Sequence, residues 1–167
     1  MALIVEDGTG KADAESYCSV ADASTYHTNR GNTAWASLAS DTVREQLLRK
    51  ATDYIEQMYS QSWQGERVDN IQALSWPRSG VVYDGVSVSN SIIPQSLINA
   101  TAEMALRAAA GELEEDLTRG VLREKVGTLE VEYDAKSPER KRYVAVENML
   151  KPLFSNQSNM YVGLNRA

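Results

Sequence analysis

The chain has 167 residues, 43% hydrophobic and 24% charged, and a net charge of −6 at pH 7. That length fits one globular domain burying roughly two thirds of its unfolded surface, and the acidic surplus disfavours nucleic acid unless a local basic patch overrides it. One cysteine, Cys18, and one histidine, His27, exclude an internal disulfide, a thiolate cluster and a metal site of several imidazoles.

Ala2 to Val5 is a short apolar run before the turn signal Asp7-Gly8-Thr9-Gly10, so it reads as a small strand in need of a partner. Ser19 caps a short helix, Val20 to Asn29, which turns Val20, Ala23, Tyr26 and His27 to a core and ends at Gly31. Thr33 to Leu38 adds a further turn anchored by Trp35. Ser40 and Asp41 open the longest helix, Thr42 to Ser60. Its Val43, Leu47, Leu48, Ala51, Tyr54, Ile55, Met58 and Tyr59 recur in steps of three, four and one and make a single stripe.

Positions 61–93 lack regular periodicity and are far longer than an ordinary helix–helix connection. They hold Trp63, Ile71, Leu74, Trp76, Val81, Val82 and Tyr83, too much apolar surface for simple disorder. Pro94 suits the first turn of the next helix, which carries Leu97, Ile98, Thr101, Met104, Ala105 and Ala108 inward and stops at Gly111. Glu112, Glu114, Glu115 and Asp116 crowd beyond that C-terminus, where the helix dipole disfavours them, which suggests a solvated loop or a basic partner.

Val121 to Tyr133 alternates in period two around Gly127-Thr128, the pair expected of a type II′ hairpin. A two-residue loop there sets Lys125 opposite Glu130 and Arg123 opposite Glu132. Ser137-Pro138 opens a last helix with Tyr143, Val146, Met149, Leu150 and Leu153 as its stripe, limited by Pro152. The fold class is therefore mainly α: a bundle of about four helices with a long inter-helix loop, a β-hairpin and an extended tail. Residues 1–153 form one domain, and 154–167 read as a docking extension with Phe154, Met160, Tyr161 and Leu164 as apolar anchors.

For catalysis the inventory is thin. Cys18 and His27 could pair as nucleophile and base, but nine residues around one short helix tend to hold them more than two turns apart. The acidic group Glu112 to Asp116 lacks calcium-loop spacing, and no phosphate-cradle or nucleophile-elbow motif occurs. No enzyme, metal or cofactor is expected. Trp63, Arg67, Trp76 and Arg78 combine aromatic and guanidinium groups, a composition that stacks on bases, marks protein–protein hot spots or fills a local core. No apolar run reaches the roughly eighteen residues of a membrane span. MALIVEDGTG lacks signal-peptide regions, so a soluble protein, cytoplasmic when made and without a membrane partner, is expected.

The succession YCSVADASTYHTNRGNTAW, LLRKATDYIEQMY, WQGERVDNIQALSWPRSGV, IPQSLINATAEMALRAA and KVGTLEVEY resembles the head–tail connector (adaptor, head-completion) family of tailed bacteriophages, also described as DnaT-like single-stranded-DNA-binding proteins. The resemblance spans roughly residues 12 to 153, most specifically at QALSWPRSGV and the Pro94 helix. It implies a non-catalytic virion subunit that forms a closed ring, typically dodecameric, between the portal protein and the stopper or tail component, through which genomic DNA passes without sequence-specific binding. It makes Trp76, Pro77 and Arg78 part of the ring-forming loop, and Phe154, Met160, Tyr161 and Arg166 portal contacts. The alternative is a single-stranded-DNA-binding replication accessory, which needs a basic groove with stacking residues.

Overall fold

The computed structural model describes residues 2–114, 121–125, 130–133 and 141–155, with 121–125 and 130–133 described by their backbone. It is mainly helical. Five helices stand among the described residues: α1 Val20–Thr28, α2 Thr33–Ala36, α3 Asp41–Tyr59, α4 Gln95–Ala110 and α5 Val144–Leu150, the last followed by a 3-10 turn, Lys151–Leu153.

The helices form where their sequence signals stand. Ser19 accepts the Asp22 N–H ahead of α1, and Ser40 accepts the Val43 N–H ahead of α3, caps typically worth about 1 kcal/mol each. Along α3 the stripe is inward: Leu47, Leu48, Ala51, Tyr54, Ile55 and Tyr59 are buried, with Val43 and Met58 at its margins. Leu97, Ala100, Thr101, Met104 and Ala105 form the matching face of α4. α4 is the central helix, with α3, α1 and α5 all packed on it. Each fully buried Leu or Ile of this core contributes about 1.5–3 kcal/mol relative to exposure.

Two expected elements differ. The Ala2–Val5 strand is reduced to one parallel bridge, Val5 to Ser16, because the buried Glu6 carboxylate takes the N–H groups of Gly8, Gly10 and Lys11 and curls the chain into a turn. Residues 141–143 are not helical and the last helix begins at Val144, while the expected Ser137-Pro138 start lies outside the described residues. Arg142 pairs with Glu147 of its first turn at 2.6 Å, and the Tyr143 hydroxyl donates to the Leu113 carbonyl at 3.1 Å, which holds residues 142–143 outside the helical path.

The segment between α3 and α4 contains two small antiparallel ladders, β1 (Glu66–Arg67) with β2 (Arg78–Ser79) and β3 (Val82–Tyr83) with β4 (Val86–Ser87). Strands β5 (Val121–Lys125) and β6 (Glu130–Tyr133) pair with Lys125 opposite Glu130 and Arg123 opposite Glu132, the expected register, with an irregularity between Val121 and Arg123. The Gly127-Thr128 turn lies outside the described residues. The chain stays paired past position 153: Trp63 and Phe154 form a bridge, and the Ser155 N–H donates to the Ser62 carbonyl at 2.7 Å.

Candidate functional site

The 61–93 segment is fastened from beneath by one carboxylate. Glu56 of α3 accepts the Ser75 N–H at 3.1 Å, the Ser75 hydroxyl at 2.6 Å and the Tyr17 hydroxyl. Tyr17 in turn accepts the Trp76 N–H at 3.1 Å. Burial, and next the Glu56 charge, push the Tyr17 phenol well above its ordinary pKa, so it stays protonated and donates to the carboxylate. Gln72 adds a second clamp, its side-chain amide donating to the carbonyls of Leu74 (2.8 Å) and Pro77 (3.1 Å) while its oxygen accepts the Asp69 N–H (2.9 Å). The Trp76–Pro77 peptide is cis.

These clamps turn the expected contact residues inward. Trp76 is fully buried, Trp63 is 4% exposed, and their rings meet edge to face at 5.9 Å. Pro77 is buried beside them. Arg78 donates to the carbonyls of Gln64 (2.7 Å), Ser75 (3.2 Å) and Gly65 (2.6 Å), an internal brace whose pKa burial lowers from its ordinary value. Arg67 is exposed, yet its guanidinium donates to the Gln72 carbonyl. Phe154 is half-buried against Tyr59 and Trp63, each ring centroid 5.3 Å away. Within the single chain Trp63, Trp76, Pro77 and Arg78, expected as contact residues, are buried and serve as internal support of the loop. Met160, Tyr161 and Arg166 lie outside the described residues.

Cys18 and His27 each face other partners. The Cys18 thiol donates to the Ser19 carbonyl at 3.4 Å. Nε2 of His27 donates to the Ala102 carbonyl at 3.0 Å, leaving Nδ1 to accept from the Asn32 amide at 3.0 Å. Among the described residues no group of three or more His, Cys, Asp or Glu side chains is placed to hold a metal ion. No helix among them is long and apolar enough to cross a membrane.

Exposure falls elsewhere in the same loop. Of the seven exposed large apolar side chains among the described residues, Val68, Ile71, Val82, Tyr83, Val86 and Ile92 lie in it; Val144 is the seventh. A groove of about 360 Å³ runs between the β3–β4 hairpin and the start of α4, lined by Tyr83, Val86, Val88, Ile92, Pro94 and Leu153 among others. A second cleft, about 720 Å³, has Tyr83, Phe154, Lys151 and Asp84 on its walls. Val68, Val86 and Ile92 are the residues sequence reading missed. The available signal was Asp84-Gly85 between VVY and VSV, a turn pair flanked by strand formers.

Cations on the described surface are largely matched by acids. Lys11 pairs with Asp7, Arg44 with Asp41, Arg49 with Glu15, Lys50 with Glu112 and Arg107 with Glu103, at 2.6 to 3.5 Å.

Fold and site together define a small helical domain that carries an internally braced loop with six exposed large apolar side chains. The chain belongs to the family described as "Putative DnaT-like ssDNA binding protein", whose signature spans residues 1–167. No curated protein and no solved structure matches it.

Proposed function

We propose that this chain is a non-enzymatic assembly subunit, a head–tail adaptor that forms a ring, dodecameric by the resemblance, between the portal and the stopper of a tailed phage virion. The observation that carries the assembly part is the concentration of exposed apolar side chains on the 68–92 stretch. An apolar face held rigid from within is what a docking surface requires, and a net charge of −6 suits a channel wall along which DNA slides without adhering. The adaptor identity rests on the sequence resemblance. Copy number tests it: purified virions of the phage encoding this chain should contain about as many copies of it as of the portal subunit. Its absence from virions would overturn the adaptor role.

Single-stranded-DNA binding is the second reading, and the family description favours it. With the tryptophans buried, stacking would fall to Tyr83 and Phe154 in the larger cleft, with Lys151 for phosphate. Anisotropy of a labelled oligothymidylate decides: submicromolar affinity that falls steeply with salt and is lost in Tyr83→Ala supports this reading, and no binding at low salt removes it.

A further inference from the structure

The sequence holds two Asp-Gly pairs, Asp7-Gly8 and Asp84-Gly85, and no Asn-Gly pair. Glycine carries no side chain to shield its amide nitrogen, so in such a pair that nitrogen can reach the aspartate Cγ and close a five-membered imide. The fold treats the two pairs in opposite ways.

Asp7-Gly8 is locked. Gly8 is buried, and its N–H donates to the Glu6 carboxylate at 2.9 Å, as do the Gly10 and Lys11 N–H groups at 2.9 and 2.7 Å. The Ser91 backbone packs directly against Gly8, so the Asp7-Gly8 peptide has no room to turn. The Asp7 carboxylate accepts the Thr9 hydroxyl at 2.6 Å and the Lys11 ammonium at 2.9 Å, and these two donors hold its pKa down to about 2. A carboxylate kept ionised in this way has no hydroxyl to expel.

Asp84-Gly85 is the reverse. It is the two-residue turn of the β3–β4 hairpin, with both residues exposed, at φ +49° and +79°, and open space around Gly85. Among the described residues no hydrogen bond or ion pair engages the Asp84 carboxylate or the Gly85 N–H. Only the pairs Val82 with Ser87 and Tyr83 with Val86 close the hairpin, and all four residues are exposed. A ladder that short opens locally at little cost, and opening gives the turn the rotation that brings the Gly85 nitrogen to Cγ.

We propose that Asp84 is a site of spontaneous isomerisation to isoaspartate, selected by the fold over Asp7. The Gly85 nitrogen bonds to Asp84 Cγ, and the carboxyl hydroxyl leaves as water with the amide proton. Water then adds back to the imide. Addition at Cγ restores aspartate; addition at the backbone carbonyl breaks its bond to nitrogen and leaves the chain running through Cγ, with no atom gained or lost overall. The new linkage puts the Asp84 Cβ into the main chain, and a turn so lengthened no longer fits a two-residue hairpin loop. Tyr83, in the walls of both clefts, then loses its pairing with Val86. This outer surface therefore has a limited lifetime.

The full chain, aged in neutral buffer at physiological temperature, is digested with a protease that cuts before aspartate but not before isoaspartate. Conversion is read as resistant peptide of unchanged mass. Asp84 is expected to convert at least about tenfold faster than Asp7, the ratio implied by the loss of one charge-assisted hydrogen bond at Gly8. In denaturant the two are expected to convert at similar rates, and by NMR the cross-strand contact between Tyr83 and Val86 is expected to vanish in the converted fraction. Equal rates in the native chain, or no conversion at Asp84, overturn the inference. A ratio that persists in denaturant overturns its basis in the fold. A converted chain that keeps the Tyr83 to Val86 contact overturns the loss of the surface.

Discussion

The backbone N–H of Trp76 donates to the Tyr17 hydroxyl at 3.1 Å, joining the loop to a residue 59 positions earlier. That hydroxyl also donates to Glu56, so one phenol connects the segment before α1, the long helix α3 and the loop. Tyr17→Phe leaves a buried N–H without a partner and removes a donor from the carboxylate. The expected cost is about 1–3 kcal/mol, which for a domain of this size lowers the melting temperature by roughly 2–4 °C per kcal/mol. Urea unfolding followed by tryptophan fluorescence measures it; an unchanged midpoint would show that the phenol does not brace the loop.

Trp76→Ala acts from the inside. The ring is fully buried beside Trp63, and removing a core tryptophan costs about 3–5 kcal/mol. The urea midpoint of this variant should therefore fall even in monomeric protein, whereas Ile71→Asp should leave it where it is. Equal midpoints for the two variants would contradict the placement of Trp76.

Sequence made the helices plain because their stripes are local: α3 and α4 turn inward the residues that the three- and four-residue steps select. It left the loop open between contact surface and core, because no local pattern decides which way Trp63 and Trp76 face. Trp76 is held inward by Tyr17 and Glu56, the latter 19 positions before Ser75, Trp63 is bridged to Phe154, 91 positions later, and links of that reach have no period. The same holds for Arg78. An arginine in a polar stretch resembles a surface cation until the carbonyls of Gln64, Gly65 and Ser75 are seen around its guanidinium.

Gly8 is where the N-terminal turn touches the end of the loop. Its φ is +101°, and a Cβ added there would stand 2.1 Å from the Ser91 carbonyl oxygen and 2.9 Å from the Ile92 Cα. Gly8→Ala therefore strains its own backbone, by about 1–3 kcal/mol, and pushes on the strand of chain that carries Ile92. Lower stability together with weakened self-association is expected, read by urea titration and native mass spectrometry. Gly31, at φ +69° with open space around it, is the control: alanine there should cost the backbone strain alone and leave association intact.

Cys18 is fully buried, and burial pushes its thiol up to about 12. Reactivity follows the thiolate, so a disulfide reagent at pH 8 should leave the native chain unmodified and label one thiol per chain in denaturant. Rapid labelling of folded protein would contradict its place in the core.

His27 gives the fold a pH dependence of defined sign. Burial lowers its pKa below the ordinary 6.5, and the ring is neutral, Nε2 donating to Ala102 while Nδ1 accepts from Asn32. As pH falls through about 6.5 the unfolded chain takes up the proton first, so the unfolded state binds more protons and stability declines with falling pH until the folded-state pKa is passed. His27→Gln removes that titration. The stability difference between wild type and His27→Gln is therefore expected to be largest near pH 7.5 and to narrow towards pH 5.5, with all other titrating groups common to both. A difference that holds constant across that range would mean that the folded chain accepts the proton as readily as the unfolded one, contradicting the neutral ring clamped between Ala102 and Asn32.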